Sequence, residues 1–164
     1  MALAAAQPEN DLVLEITRIF KAPRDRVFAA WTTPEHLGSW WGPKGHGIPE
    51  HDFDVCEGGA WRAVLRSPKG TDHIVSGVFQ EISAPERVVF SWGWTIDGVR
   101  SHESIVTVQF DEVGAGTKVH LHQASLTSKE DRDGHGLGWG GTFDNLEDFL
   151  VGKPREITGA ETPS

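Results

Sequence analysis

The run RVVFSWGWTIDGVRSHESIVTVQFDEVGAGTKVHLHQA, residues 87–124, decides the architecture. Three stretches rich in β-branched and aromatic residues, 87–95, 103–111 and 117–124, are separated by the turn signals Asp97-Gly98 and Gly114-Ala-Gly116. Strands joined so briefly pair antiparallel, because a parallel crossover needs about a dozen residues or more. The two-residue alternation of a strand then assigns faces. Val88, Phe90, Trp92 and Trp94 share one parity and form the only set on their strand large enough to be buried. The matching inner sets are His102, Ser104, Val106, Val108 and Phe110 on the next strand and Val119, Leu121 and Gln123 on the last. Lys118, His120 and His122 turn outward.

Upstream, the same punctuation continues. Strands are expected at 52–55, 60–66 and 73–82, divided by Gly58-Gly59, by 67–70 and by Ala84-Pro85-Glu86, after a loop spanning Gly42 to Pro49. Along 73–82 both parities are equally apolar, and the inward face stays open. Before the loop, Leu12 to Phe20 reads as a strand. Pro23 and Pro34 then each open a short helix, the second ended by Gly42-Pro43. Downstream, Ser128 with Glu130 and Asp131 behind it starts a final helix, and Leu137, Phe143, Leu146, Phe149 and Leu150 are expected on its buried face. Glycines at 134, 136, 138, 140 and 141 each cost that helix about 1 kcal/mol of propensity, so its first half is either loose or closely approached. The order is β-α-α-β6-α, an α+β chain with one domain at 12–151, an N-terminal extension at 1–11 and a tail at 152–164.

Composition narrows the function. With 15 Lys+Arg against 24 Asp+Glu the net charge is −9, and no basic cluster exists to neutralise phosphates or to meet an anionic membrane. No apolar run is long enough to span a bilayer, and residues 1–10 lack the pattern of a signal peptide, so a cytoplasmic location is expected. The lone Cys56, flanked by Asp54 and Glu57, reads as a passive thiol. Seven Trp and eight Phe without any Tyr are more rigid aromatic surface than a plain core of this size requires, and they can line a cavity.

Four segments carry a further likeness: Lys21 through Ala22-Pro23 and Trp31 to Trp40-Trp41-Gly42-Pro43; Asp54 to Arg62; Gly77 to Phe90; and Gly116 to Val119. Together they closely resemble the bacterial AHSA-type family, named for similarity to a domain of the activator of the heat-shock protein 90 ATPase and part of the START-like, SRPBCC helix-grip superfamily. The resemblance implies a curved antiparallel sheet of about seven strands gripping a long C-terminal helix, with a cavity between them. Cys56-Glu57 depart from the family pattern, which has Arg followed by Pro or a similar residue there. The superfamily's functions are diverse.

No P-loop, nucleophile elbow, Cys-x-x-Cys or His-Glu-x-x-His motif is present. His120-x-His122, with His46 and His51 elsewhere, has no third-ligand spacing, and neither a metal nor a cofactor is expected. Asp144, Glu147 and Asp148 read as the solvated face of the last helix. The expected function is binding of a hydrophobic small molecule, aromatic or lipid-like, at Trp41, Trp61, Phe90, Trp92, Trp94, Trp139 and Phe143, with His102, Ser104 and Gln123 as the sparse polar groups of the wall. The alternatives are a cyclase or hydrolase with His102 as base, and a co-chaperone-like module acting on heat-shock protein 90. A homodimer stays open; a nucleic-acid partner and membrane insertion do not fit the charge and hydropathy.

Overall fold

A computed structural model describes residues 12–153; the extension at 1–11 and the tail from 154 onward lie outside the described residues. The order is β1 (Leu14–Phe20), α1 (Arg24–Thr32), α2 (Pro34–Trp40), β2 (Gly47–Phe53), β3 (Ala60–Arg66), β4 (Asp72–Ser83), β5 (Arg87–Ile96), β6 (Val99–Arg100), β7 (Ser104–Val113), β8 (Gly116–Ala124) and α3 (Lys129–Leu150). All strands join one antiparallel sheet in the order β1-β8-β7-β5-β4-β3-β2, with the two-residue β6 hanging on β5. This is the helix-grip arrangement that the sequence implied. The extra strand arises at Asp97-Gly98, both at positive φ (53° and 80°), the signature of a tight two-residue hairpin.

β2 begins earlier than expected, at Gly47 rather than in the fifties. Pro49 is tolerated inside it because β2 is the outermost strand and its register on β3 slips between Gly47 and Glu50. The undecided parity of β4 has a physical cause. A register shift between Phe79 and Glu81 turns the strand over: Val75, Gly77 and Phe79 face the core before it, while Ile82, opposite Val88, packs on the core after it. The shift is pinned from the neighbouring loop. The Glu57 carboxylate accepts the Ile82 N–H at 3.1 Å, and the Gly58 N–H donates to the Phe79 carbonyl at 2.7 Å. Glu57, a departure from the family pattern, thus has a structural partner.

On β5, β7 and β8 the predicted parity holds, with Phe90 opposite Val106, Val88 opposite Val108 and Val106 opposite Gln123. His102 is the exception. It precedes the first residue of β7, and its ring is exposed rather than inward.

α3 lies across the sheet with Trp139, Thr142, Phe143, Leu146 and Leu150 buried. Leu137, expected on that face, is 82% exposed. Six positions before Phe143 amount to about 600° of rotation, which leaves Leu137 about 120° off the buried stripe. Asp144 and Glu147 receive Arg18 from β1 at 2.8 and 3.6 Å, and Asp148 receives Lys44 at 3.0 Å. The expected solvated face is therefore also a half-exposed row of ion pairs that seats the helix.

Aromatic rings fill the space between α3, α1, α2 and the sheet. Trp31 meets Trp40 edge-on at 4.7 Å and stacks on Trp139 at 6.2 Å, and Phe143 meets Phe20 at 5.7 Å. Trp40 donates its indole N–H to the Ala30 carbonyl at 3.0 Å. Trp41, expected among the aromatics that bind the ligand, is instead as buried as Trp40 (1% against 0%). The helix stops at Trp40, and at φ −63°, ψ 136° the extended backbone of Trp41 drives its ring inward against Trp61, Phe90 and Trp92.

Candidate functional site

A cleft of about 390 Å³ opens between the first half of α3 and the sheet. Leu65 of β3 and Trp92 and Trp94 of β5 form one wall, Pro43 closes the side, and His135, Trp139 and Thr142 of α3 form the other wall. Gly134 and Gly138 also line it. A Cβ added at Gly134 meets no heavy atom within 4 Å, and one at Gly138 meets only Pro43 at 3.9 Å. Two of the costly helical glycines therefore border empty space. Gly141 is different, since a Cβ there would stand 2.7 Å from the Lys44 backbone nitrogen, so close passage of the 42–44 segment requires glycine. That segment is held by Asn145, whose Nδ2 donates to the Gly42 carbonyl at 2.8 Å.

A smaller pocket of about 160 Å³ adjoins the cleft, sharing Trp92, Trp94, Asp131 and His135 with it and adding Ser101, His102, Ser104 and Leu126. Beyond the strand ends a groove runs past His73, Ile74, Thr95 and Asp97 and again touches Trp94 and Asp131. Trp94 and Asp131 stand where the three spaces meet.

Beneath the cleft floor runs a buried polar chain. Trp139 donates its indole N–H to Gln123 Oε1 at 2.9 Å, and Gln123 Nε2 donates to Ser104 Oγ at 2.8 Å. Ser104 Oγ lies 3.5 Å from the Trp92 carbonyl, the weakest link. Buried amides and hydroxyls need such partners, and here they fix the Trp139 ring as part of the wall. The buried indole N–H of Trp92 has no partner among the described residues.

The predicted site residues thus divide into three groups. Trp92, Trp94 and Trp139 line the cleft, and His102 and Ser104 line the adjoining pocket. Trp41, Trp61, Phe90 and Phe143 are packed into the core, and Gln123 is fully buried in the polar chain. His102 Nε2 lies 2.6 Å from the Ser125 carbonyl, a contact that ties the β6–β7 connection to the end of β8.

Sequence reasoning passed over Asp131 as a site residue and over His135 altogether. The His135 ring leans on Trp92 and Trp94 at 6.1 and 6.0 Å, and its side chain is 8% exposed. Its Nε2 stands 3.4 Å from Asp131 Oδ1. Asp131 is itself oriented, because Oδ2 accepts both the backbone N–H and the hydroxyl of Thr127 at 3.1 Å. Burial holds the His135 pKa below the ordinary imidazole value, and the Asp131 carboxylate opposes that shift. The ring is neutral at neutral pH. The missed signal was the spacing Asp131, His135, Trp139, which places all three on one helical face.

Among the described residues no three His, Cys, Asp or Glu side chains are grouped to hold a metal ion. His120 Nδ1 contacts Thr17 Oγ1 at 2.8 Å, and His122 Nε2 stands 4.0 Å from Glu15 Oε2. Cys56 is exposed with its Sγ 3.5 Å from Asp54 Oδ1; desolvation and then the Asp54 carboxylate raise its pKa, which suppresses the reactive thiolate.

Residues 21–151 match the family model described as activator of Hsp90 ATPase homolog 1-like protein. The chain belongs to this family. The AHSA1 protein of Silicibacter pomeroyi has a solved structure with a TM-score of 0.79 and 30% identity, covering 85% of this chain and 97% of that one. A protein of Rhizobium leguminosarum gives 0.72 with 26% identity over 85% and 93% of the two chains. One from Nitrosomonas europaea gives 0.72 with 25% identity over 86% and 95%. The comparison with curated proteins found no match. The family fold is one of ligand-binding or co-chaperone-like domains in general. No described helix is long and apolar enough to cross a membrane.

Proposed function

We propose that this AHSA-type chain binds one compact, flat, apolar molecule in the cleft beneath α3, without transforming it. The supporting observation is the pairing of three indole walls, Trp92, Trp94 and Trp139, with helical glycines that leave the space open. About 390 Å³ lies at the lower end of small-molecule sites, which suits a two- or three-ring aromatic better than a long-chain lipid. Aromatic walls reward such a ligand by offset stacking and by removing its surface from water.

Thermal unfolding followed by circular dichroism, with and without naphthalene near its solubility limit, tests the reading. Binding raises the midpoint in proportion to the logarithm of ligand concentration over Kd. An unchanged midpoint across naphthalene and larger fused aromatics sinks it. Stimulation of a heat-shock ATPase, which the family description raises, is the competing function. It predicts faster ATP hydrolysis by Hsp90 on addition of the chain, with or without an occupant in the cleft.

A further inference from the structure

We propose that His135, with Asp131 beside it, is the polar anchor of the cleft and selects uncharged aromatic ligands that carry a hydroxyl. This rests on the ligand-binding reading above and specifies its ligand class.

Orientation comes first. Asp131 is immobilised by the two Thr127 donors and by its place in the first turn of α3, where its backbone N–H also meets the capping Ser128 Oγ at 3.0 Å. Its remaining oxygen, Oδ1, faces His135 Nε2 at 3.4 Å. A carboxylate beside one ring nitrogen places the proton of a neutral imidazole on that nitrogen. The other nitrogen, Nδ1, is then an acceptor, and no described residue donates to it. Because burial disfavours the charged ring, Nδ1 keeps its lone pair at neutral pH. The ring borders both the cleft and the adjoining pocket, so a molecule stacked on Trp92 and Trp94 lies beside it.

The donor that Nδ1 needs and the charge around it narrow the class. A hydroxyl is a neutral group that can donate to a ring nitrogen. The charged and titratable groups around these spaces are Glu130 and Asp131 from α3, His102 from the β6–β7 connection, and Asp72, His73 and Asp97 across the neighbouring groove. Carboxylates dominate, and a ligand carboxylate or phenolate would be repelled.

Isothermal titration calorimetry at pH 7.5 with naphthalene, 2-naphthol and 2-naphthoate reads all three terms. The expected order is 2-naphthol tighter than naphthalene by roughly 3- to 10-fold, the worth of one net hydrogen bond, and 2-naphthoate weakest. In His135→Phe the two neutral probes should bind alike, while His135→Gln, which retains an acceptor, should keep part of the preference. Equal binding of 2-naphthol and naphthalene by the wild-type chain overturns the anchor while leaving the cleft reading intact. A preference that survives in His135→Phe, or 2-naphthoate binding as tightly as 2-naphthol, also overturns it. Failure of all three probes to bind overturns both proposals together. Should His135→Phe not fold, His135→Gln and the wild-type probe order decide.

Discussion

Replacing Gly134 by Leu should make the protein more stable and abolish its ligand response, two effects of opposite sign from one side chain. Gly134 is helical, and the space around its missing Cβ is empty to 4 Å. Leu is close to Ala in helix propensity, so the substitution gains about 1 kcal/mol. For a domain of this length that raises the melting midpoint by roughly 2–4 °C. The added side chain has the cleft mouth to fill, since Gly134 lines it beside His135 and Gly138. A ligand present at 100 times its Kd stabilises the wild-type chain by about 2.7 kcal/mol, or roughly 5–10 °C. In Gly134→Leu this increment should vanish.

Gly134→Ala separates the two effects, gaining the stability while retaining ligand response. Gly141→Ala is the counter-control: its Cβ meets the Lys44 nitrogen at 2.7 Å, so it should lose stability although the propensity change is the same. Circular-dichroism melts with and without naphthalene read every arm. A destabilised Gly134→Leu would show that the space is not open in solution. A stabilised Gly134→Leu with an undiminished ligand shift would show that the ligand sits elsewhere.

Other perturbations follow from the same packing. Trp40→Ala and Trp41→Ala should each cost roughly 3–5 kcal/mol in urea unfolding, because both rings are buried; a Trp41→Ala loss below about 1 kcal/mol would contradict the inward turn at Trp41. Gln123→Met strips partners from both Trp139 and Ser104 and should cost about 1–3 kcal/mol, with a change in indole fluorescence as Trp139 loosens; an unaltered midpoint would deny the polar chain its role. The folded-state pKa of His135 lies below its unfolded value, so between the two the unfolded chain binds more protons. That contribution to stability is complete above the ordinary imidazole pKa of about 6.5 and is lost as pH falls towards the folded value. The wild-type midpoint should therefore fall more between pH 7.5 and 5 than that of His135→Phe, and parallel declines would refute the buried neutral ring. In hydrogen exchange, amides 134–138 should exchange faster than 146–150 and slow when the cleft is filled, whereas uniform protection of α3 in the free protein would mean that its glycines cost no local stability.

Local chemistry carried much of the architecture. Turn signals at Asp97-Gly98 and Gly114-Ala-Gly116 force neighbouring antiparallel strands, and the alternation in 88–94, 104–110 and 119–123 names the buried face, because both are properties of a few adjacent residues. The Ser128 cap and the spacing of Phe143, Leu146 and Leu150 likewise identify the covering helix and its direction. What required the tertiary structure depends on residues distant in the chain. The slip after Phe79 that reverses β4 is fixed by Glu57 and Gly58 from another loop, so its two apolar parities are unreadable in sequence. Trp41 and Trp61 cannot be told from Trp92 and Trp94 by composition; which indoles fill the core and which border space is set by how α2 ends and where α3 crosses the sheet. The same holds for the glycines, of which 141 admits a passing backbone while 134 leaves a void. Asp131 stands beside His135 by helical spacing alone, but the neutral ring is favoured only when the fold removes water from it, against the pull of that carboxylate, and this burial is not written in the residues around it.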